Sequence, residues 1–371
     1  MGNGMNILFI TNHLNTGGIT SYLFTLAGGL KKKGHNVFIA SFGGELTDKF
    51  KESGLEIITI PIMTKKEINP KIILSAFKLS GVIRKNKIDI VHSHSRTTQV
   101  LGCLLACVSG VKHIFTCHGF FRRRFLRRLF PCWGDKVIAI SHQVKEHLVV
   151  DFKLAENKIT VINNGIDMAR FRAPSASCFL PDKAGLGLGA GPVVGIIARL
   201  SDVKGHKYLI EAMKTVLEEF PSAGLLVVGS GRTQEELLRQ VSSLGIDRKV
   251  FFVPEIRDTV NTLALMDVFV MPSLQEGLGL ALMEAMAQGL AVIGSNVGGI
   301  KTLIQDGISG LLVEPADSRG LAKAILTLLN DPVKRASLGK QAQVFIRQNF
   351  SQEKMVCETE EEYSRCLSAK D

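Results

Sequence analysis

Short apolar runs alternate with segments of helical periodicity along the first half of the chain, and this alternation constrains the fold most strongly. The runs Asn6 to Thr11 and Asn36 to Ser41 have the composition of buried parallel strands, and Pro70 to Lys85 has that of a crossover helix. The alternation continues to residue 141 and returns after residue 191. It predicts an α/β protein with doubly wound parallel sheets.

The length of the chain indicates how many such sheets to expect. A chain of 371 residues is longer than a domain with a single hydrophobic core usually is, so we predict two domains. Residues 173–191 are rich in Ala, Gly, Ser and Pro and show little periodicity, which is typical of a linker. The predicted domains therefore span 1–172 and 192–349, and a helical tail follows over 350–371.

Charge is divided unevenly between these domains. Residues 1–172 contain 25 Lys and Arg against 11 Asp and Glu, whereas the whole chain has a net charge of +11. The asymmetry predicts an anionic partner for the first domain, either nucleic acid or an acidic membrane surface. The longest apolar run, Val100 to Val111, is shorter than the ~20 residues that cross a bilayer, and no signal-peptide pattern opens the sequence. Seven cysteines without CxxC or metal-ligand spacing predict reduced thiols in a cytoplasmic protein.

The most basic segment is Phe120 to Trp133, FFRRRFLRRLFPCW. On a helical wheel its apolar side chains gather opposite a basic side. That basic side consists of Arg123, Arg124, Arg127 and Arg128. The pattern predicts an interfacial amphipathic helix at an anionic membrane. A core-facing helix with a solvated basic side is the alternative, and a nucleic-acid groove is disfavoured because no aromatic stacking platform accompanies the arginines.

Candidate ligand-binding residues follow several strands of the first domain. Ligands of doubly wound sheets bind beyond the carboxyl ends of the strands. Gly17 and Gly18 stand at the turn after the first strand, where a pair of glycines lets the backbone approach a ligand, although a plain turn is the alternative. His118 also follows a strand. His92 and His94 form an H-x-H pair without a third ligand, so we interpret them as strand-end residues.

The second domain places two cations at the same kind of edge. A strand ends at Ala198, and Arg199 and Lys204 flank the loop before the next helix. The following strand ends at Gly229, another position for close backbone approach. By themselves the two cations fit either an anion site or ordinary solvated charges.

The stretch Gln275 to Val292, QEGLGLALMEAMAQGLAV, contains two carboxylates in unusual surroundings. Glu284 interrupts a segment that otherwise has the composition of a buried helix, so its charge requires partners. Gly277 and Gly279 directly precede that helix. The first N-H groups of a helix and the positive end of its dipole form an anion site, and phosphate is its natural ligand.

This stretch, together with the following SNVGGIKTLIQDGISGLLVEPAD, resembles the retaining glycosyltransferases of family 4, and the resemblance covers nearly the whole chain. It implies the GT-B fold, in which two Rossmann-like domains face each other across a central cleft. It also implies that the tail over 350–371 packs back on the first domain. Because the chain then crosses twice between the domains, hinge closure is expected.

The resemblance also implies roles for individual residues. Glu284 would take the ribose hydroxyls of a nucleotide-sugar donor and Glu276 the hydroxyls of its sugar, because a carboxylate accepts two hydroxyl protons in a fixed geometry. Arg199 and Lys204 would neutralise the donor diphosphate, and His118 would reach the donor sugar at the reaction centre. The remaining donor-binding positions that it implies are Gly17, Gly18, Gly229, Gly277, Leu278 and Gly279.

The function that these observations predict is retaining, metal-independent transfer of a sugar from a nucleotide-sugar donor to a hydroxyl of a lipid-linked or cell-envelope saccharide. The sequence contains no Asp-x-Asp motif, and no cofactor or nucleic-acid partner is expected. A UDP-sugar is favoured as donor and a GDP-sugar remains open, because Pro254 stands where the family often has Gly near the nucleobase. The protein would work in the cytoplasm, peripherally on the inner face of the plasma membrane.

Three other functions are compatible with parts of the pattern. A nucleotide-sugar 2-epimerase of the same architecture would bind the same donor without an acceptor. A non-catalytic nucleotide-sugar sensor would not need the full set of charged residues. A nicotinamide-dependent oxidoreductase would need a G-x-G-x-x-G turn between a strand and a helix with a partner acid, and neither domain shows one.

Overall fold

A computed structural model describes residues 4–64, 69–122, 127, 130–171, 188–254 and 259–369. The chain divides into two compact units. The first comprises residues 1–165 and 352–371, and the second comprises residues 166–351.

The first unit contains a parallel sheet of seven strands among the described residues, in the order β3-β2-β1-β4-β5-β6-β7. The strands are β1 (Asn6–Ile10), β2 (Asn36–Ser41), β3 (Glu56–Thr59), β4 (Ile90–Ser93), β5 (Lys112–Cys117), β6 (Lys136–Ala139) and β7 (Ile159–Val161). The helices between them are α1 (Gly18–Lys32), α2 (Thr47–Glu52), α3 (Pro70–Lys85), α4 (Arg96–Ser109) and α5 (His142–Phe152). The sheet is doubly wound, as the alternation of elements predicts.

Alternate residues of β1 show how the two sides of this sheet are covered. Ile7 and Phe9 are buried in one core with α1, whereas Leu8 and Ile10 are buried in another with α3 and α4. Because successive side chains of a strand point to opposite faces, one short apolar run supplies both cores. This explains why β1 is apolar at every position after its first residue.

The second unit has a parallel sheet in the order β10-β9-β8-β11-β12-β13. Its strands are β8 (Val193–Ile197), β9 (Gly224–Val228), β10 (Val250–Val253), β11 (Val268–Met271), β12 (Ala291–Ser295) and β13 (Leu311–Val313). Its helices are α6 (His206–Glu219), α7 (Gln234–Ser243), α8 (Thr259–Leu263), α9 (Leu280–Gln288), α10 (Ile300–Leu303), α11 (Ser318–Asn330) and α12 (Pro332–Asn349). Both sheets therefore have the parallel, helix-covered architecture of a Rossmann-like domain.

The last helix, α13 (Gln352–Ser368), belongs to the first unit. It packs on α1, where the side-chain amide of Gln352 donates to the carbonyl oxygen of Thr25 over 2.6 Å. Val356 and Tyr363 are buried in the core beside α1. This helix therefore completes one face of the first sheet.

The borders of the units differ from the predicted domain limits by a few residues. The sequence predicts a first domain that ends at 172, whereas the first unit ends at Gly165. The reason is local pairing, because the N-H of Ile166 donates to the carbonyl oxygen of Phe350 within the second unit. Most of the predicted linker over 173–191 lies outside the described residues. Among the residues that are described, no helix is both long and apolar enough to cross a membrane.

Candidate active site

Lys204 and Glu276 meet at the carboxyl edge of the second sheet. Lys204 ends a 3-10 turn (Asp202–Lys204) after β8, and Glu276 lies in the loop between β11 and α9. The Lys204 Nζ atom is hydrogen-bonded and ion-paired to Oε2 of Glu276, with side chains that are 20% and 13% exposed. The N-H of Leu274 donates to the carbonyl oxygen of Val203 over 2.8 Å and holds the two loops together. The family resemblance implies that both residues bind the donor, and the structure brings them into contact.

The turn before α9 is held by two glycines from another loop. Gly279 caps the helix with φ of 101°, a left-handed conformation that glycine adopts without steric cost. Gly298 and Gly299 lie against this turn, and the N-H of Gly299 donates to the carbonyl oxygen of Glu276 over 3.0 Å. A Cβ atom on Gly299 would lie 2.7 Å from the carbonyl carbon of Gly277 and closer still to its oxygen. The backbone at Gly277 and Leu278 therefore has a position that only a glycine at 299 permits.

Glu284 lies on α9 among apolar side chains and is only 8% exposed. Its charge is compensated on both carboxylate oxygens. The hydroxyl of Thr259 donates to Oε2 over 2.8 Å, and Nη1 of Arg170 lies 4.0 Å from Oε1. The sequence predicts that this buried acid needs partners, but Thr259 and Arg170 are distant in sequence and only the fold brings them to it.

Two further predicted residues follow strands of the second sheet. Arg199 is exposed just after β8, and its side chain makes no hydrogen bond or ion pair with the described residues. Gly229 follows β9 with φ of 140°, and a Cβ atom there would collide with the carbonyl group of Ala198. Gly229 therefore serves the close approach of two strand-end loops in this structure.

In the first unit, His118 follows β5 and contacts a second histidine. Its Nε2 atom lies 3.2 Å from Nδ1 of His94, which follows β4. The ring of Tyr22 meets His118 edge-on with 4.8 Å between ring centroids. Burial lowers the pKa of His118 to about 3 and that of His94 well below its usual value. Both rings are neutral near pH 7, so one N-H group is shared between them.

The same histidine cluster extends to the last helix. His92 shares hydrogen bonds with the hydroxyls of Tyr363 (2.6 Å) and Thr116 (2.7 Å). His92 and His94 lie at the end of β4, as the sequence predicts, and their side chains join this hydrogen-bonded cluster. The sequence places these histidines at the ends of strands, but only the pairing of β4 with β5 shows that the two strand ends are neighbours.

Gly17 and Gly18 stand at the start of α1, after β1. Gly17 has φ of 152°, and a Cβ atom there would meet nothing within 4 Å. The turn therefore has open space beside it. This agrees with the predicted close approach of a ligand and equally with a plain turn.

Family models match most of the chain. The model for Glycosyltransferase Family 4 matches residues 16–170, and the model for Glycosyl transferases group 1 matches residues 183–345. The chain belongs to glycosyltransferase family 4.

Proteins with similar sequences are also named as glycosyltransferases. The UDP-Gal:alpha-D-GlcNAc-diphosphoundecaprenol alpha-1,3-galactosyltransferase of Escherichia coli is 29% identical over 312 residues, which cover 80% of each chain. A GDP-mannose-dependent monoacylated alpha-(1-6)-phosphatidylinositol monomannoside mannosyltransferase of Corynebacterium glutamicum is 28% identical over 371 residues, covering 94% of this chain and 95% of that protein.

Solved structures of glycosyltransferases share the fold. A glycosyltransferase from Rickettsia africae superposes with a TM-score of 0.82 at 24% identity over 100% of both chains. HepE from Anabaena, crystallised with UDP and glucose, superposes with a TM-score of 0.85 at 23% identity over 97% of this chain and 99% of that chain. The family 4 enzyme described here therefore has two Rossmann-like domains of the GT-B type.

The structure places Arg127 differently from the amphipathic-helix prediction. That prediction put Arg127 on the exposed basic side, whereas its side chain is only 8% exposed. Its guanidinium lies 4.4 Å from the ring centroid of Phe121 and donates to the carbonyl oxygen of Arg122 over 3.1 Å. Cation–π contact explains how an arginine is buried among aromatic side chains. The other three arginines of the predicted basic side, 123, 124 and 128, lie outside the described residues.

Proposed function

We propose that this family 4 enzyme is a retaining glycosyltransferase that moves a sugar from a nucleotide-sugar donor to a hydroxyl group of a lipid-linked or cell-envelope saccharide. The observation that carries the proposal is the contact between Lys204 and Glu276 beside the glycine-held turn at the start of α9. A nucleotide sugar joins a diphosphate to a polyhydroxyl ring through one oxygen. A cation beside a carboxylate matches those two neighbouring groups.

The names of similar proteins support the classes of donor and acceptor. The Escherichia coli relative is named for UDP-Gal and a diphosphoundecaprenol-linked sugar, and HepE was crystallised with UDP-glucose. The Corynebacterium glutamicum relative is named for GDP-mannose. We therefore propose a UDP-sugar as the first donor to test and a GDP-sugar as the second.

Donor binding would exchange the partners of Lys204 and Glu276. Without donor the two groups neutralise each other. The donor diphosphate offers Lys204 a stronger anionic partner, and the sugar hydroxyls donate to Glu276 in its place. Because each charge passes from one partner to another, neither is left buried and unpaired. Arg199, exposed after β8, supplies a second cation for the diphosphate, and Glu284 takes the ribose hydroxyls.

The proposed reaction is a front-face substitution. The bond between C1 of the sugar and the phosphate oxygen breaks while the acceptor oxygen bonds to C1 on the same face, and the acceptor proton passes to the departing phosphate. Arg199 and Lys204 stabilise the charge that develops on the diphosphate, so the proposal includes no metal ion or cofactor. His118 would contribute a neutral imidazole toward the donor sugar, because burial keeps its pKa near 3.

We further propose that the enzyme works in the cytoplasm, peripherally on the anionic inner face of the plasma membrane, where a lipid-linked acceptor is available. The basic composition of residues 1–172 supports this location. No nucleic-acid partner is proposed. In the segment 120–133, Arg123, Arg124 and Arg128 remain candidates for contact with lipid headgroups, whereas Arg127 is buried.

The experiment that tests this function compares substitutions at the charged pair with a surface control. A thermal-shift panel of UDP, GDP, ADP and their sugars first identifies the donor, since a ligand at ~100 times its Kd adds ~2.7 kcal/mol to stability. Glu276→Ala and Lys204→Ala should then abolish sugar transfer while the fold survives, and Lys214→Ala, an exposed cation on α6, should transfer normally. Normal transfer by both site variants would refute the proposal. Release of an isomerised donor without acceptor would identify an epimerase instead.

A further inference from the structure

Helix α3 exposes three bulky apolar side chains on the side that faces water. Ile73, Leu74 and Phe77 are 67%, 61% and 86% exposed. The opposite side of the helix is already committed to the core of the first unit through its buried residues Ile72, Ala76, Leu79 and Ile83. A surface helix normally has charged and polar residues on its outer side. Three adjacent bulky apolar side chains in water therefore indicate an interaction surface.

Ile73, Leu74 and Phe77 lie in the first half of α3, toward the carboxyl edge of the first sheet, where His118 and Gly17 also lie. Helix α3 starts near that edge, because it follows β3 in a parallel sheet and must return to the opposite edge. Contacts agree with this placement. The Lys78 Nζ atom donates to the carbonyl oxygen of Thr59, the last residue of β3, over 2.8 Å. Asn69, which caps the helix, donates to the hydroxyl of Thr64 over 3.3 Å.

A further exposed apolar side chain lies beside the start of the helix. Met63 immediately precedes Thr64, the residue bonded to the cap of α3, and it is 50% exposed. The apolar surface therefore continues from the helix onto the adjoining loop.

The charged residues of α3 and of the turn that follows it are all basic. Residues 70–87 contain five basic residues and no Asp or Glu. The basic residues are Lys71, Lys78, Arg84, Lys85 and Lys87. Lys71, Arg84 and Lys85 on the helix are exposed. Exposed apolar side chains flanked by cations are the combination that binds the interface of an anionic bilayer.

The same charges disfavour a second copy of this chain as the occupant. Self-association through a two-fold axis would bring the same surface of each copy together. Cations would then face cations across an apolar contact, with no acidic residue of this surface to neutralise them. An anionic lipid surface satisfies both the apolar and the basic side chains.

We propose that the outer side of α3, which we call the α3 surface and define by Ile73, Leu74, Phe77, Lys71, Arg84 and Lys85, docks the enzyme onto an anionic lipid bilayer. Ile73, Leu74 and Phe77 enter the interface and the cations contact lipid headgroups. This inference deepens the proposed function, because it gives the first unit a means to reach a lipid-linked acceptor. It rests on exposure and charge alone, so it is testable independently of sugar transfer.

The test is cosedimentation of the full chain with vesicles of equal parts phosphatidylglycerol and phosphatidylcholine at low ionic strength. The variant Ile73→Ser/Leu74→Ser/Phe77→Ser should bind these vesicles at least ~30-fold more weakly, because it loses the apolar insertion. The matched control is Val333→Ser, which removes an 80% exposed apolar side chain from α12 in the second unit and should bind like the wild type. A third variant, Arg123→Ser/Arg124→Ser/Arg128→Ser, reports separately on the segment 120–133.

Two further measurements separate the possible outcomes. Thermal unfolding and UDP binding of the triple Ser variant should match those of the wild type, since the α3 surface contains no proposed donor ligand. If the triple Ser variant binds vesicles as the wild type does, the proposal is wrong. If the wild type fails to bind vesicles and instead forms a dimer that the triple Ser variant does not form, the proposal is wrong and the surface is a contact between copies. A wild-type protein that binds vesicles but transfers no sugar would count against the proposed function and not against the docking surface.

Discussion

The substitution Gly299→Ala changes the proposed donor site by one methyl group without touching a charged residue. Gly299 immediately precedes α10, where its φ of −68° is one that alanine adopts freely. The substitution therefore introduces no backbone strain of its own. Its direct effect is a steric clash, because the new Cβ atom would lie 2.7 Å from the carbonyl carbon of Gly277 and also too close to the Cα atom of Leu278.

The size of the effect follows from this geometry. Both contacts are with backbone atoms, which cannot rotate away as a side chain does. Relief requires the turn at Gly277 and Leu278 to move by roughly 0.5–1 Å, and overpacking of this kind costs about 1–3 kcal/mol of folding stability. A displacement of ~1 Å in a catalytic site costs on the order of 100-fold in rate. We therefore expect Gly299→Ala to fold, with donor affinity and transfer lowered by ~10- to 100-fold.

The assay is titration of the identified nucleotide by calorimetry, combined with transfer rates and urea unfolding. Gly189→Ala is the matched control, since it lies in the same unit and a Cβ atom there meets nothing within 4 Å. The control should bind and transfer as the wild type does. Wild-type donor affinity and transfer in Gly299→Ala would refute the conclusion that this glycine positions the turn before α9.

Two other predictions concern buried polar groups. Thr259→Val should weaken nucleotide binding by ~10- to 100-fold, because hydrogen bonds to charged groups contribute ~1.5–3 kcal/mol and Glu284 loses one of its partners. Thr262→Val is its control, because Thr262 lies on the same helix and its buried hydroxyl has no partner among the described residues. Equal nucleotide affinities of the two variants would contradict the role of Thr259. Burial lowers the pKa of His113 to about 4, whereas its pKa in the unfolded chain is near 6.5. Between these values the unfolded chain binds a proton that the folded chain excludes, so lowering the pH from 7 to 5 should reduce the free energy of unfolding by about 2 kcal/mol for this histidine. Urea unfolding of the wild type and of His113→Asn at both pH values measures this loss, and an equal loss in the variant would contradict the prediction.

Helices whose ends are specified locally could be predicted from sequence. The predicted helix over Pro70–Lys85 is confirmed to the residue, because Asn69 caps it and proline suits its first position. Helix α12 (Pro332–Asn349) starts in the same way, with Asp331 as the cap and proline at its first position. In each case the signal lies within a few residues of the helix start.

A local signal also sets the start of α4. This helix starts at Arg96, because Ser95 forms a capping box with Thr98. Strand β3 spans Glu56–Thr59 and ends two residues before Pro61. Proline has no N-H to donate to a neighbouring strand, so the apolar run that continues to residue 62 does not extend the strand.

Contacts between distant residues were beyond the sequence. A buried Glu284 predicted that partners exist, but only the fold brings Thr259 and Arg170 to it. Helical periodicity placed Arg127 on a basic side, whereas packing against Phe121 buries it. The contact of His94 with His118 likewise depends on which strands are neighbours, and strand order is a property of the whole sheet.

The measurement that tests the central claim most directly is the anomeric configuration of the product. The enzyme is incubated with UDP-galactose and α-D-GlcNAc-diphosphoundecaprenol, the donor and acceptor for which its Escherichia coli relative is named, or with the donor that the thermal-shift panel selects. NMR spectroscopy of the product then reports the new linkage. Retaining transfer predicts that the α-linked sugar of the donor becomes an α-linked sugar of the product, and that Glu276→Ala forms none. A β-linked product, or full transfer by Glu276→Ala, would contradict the account.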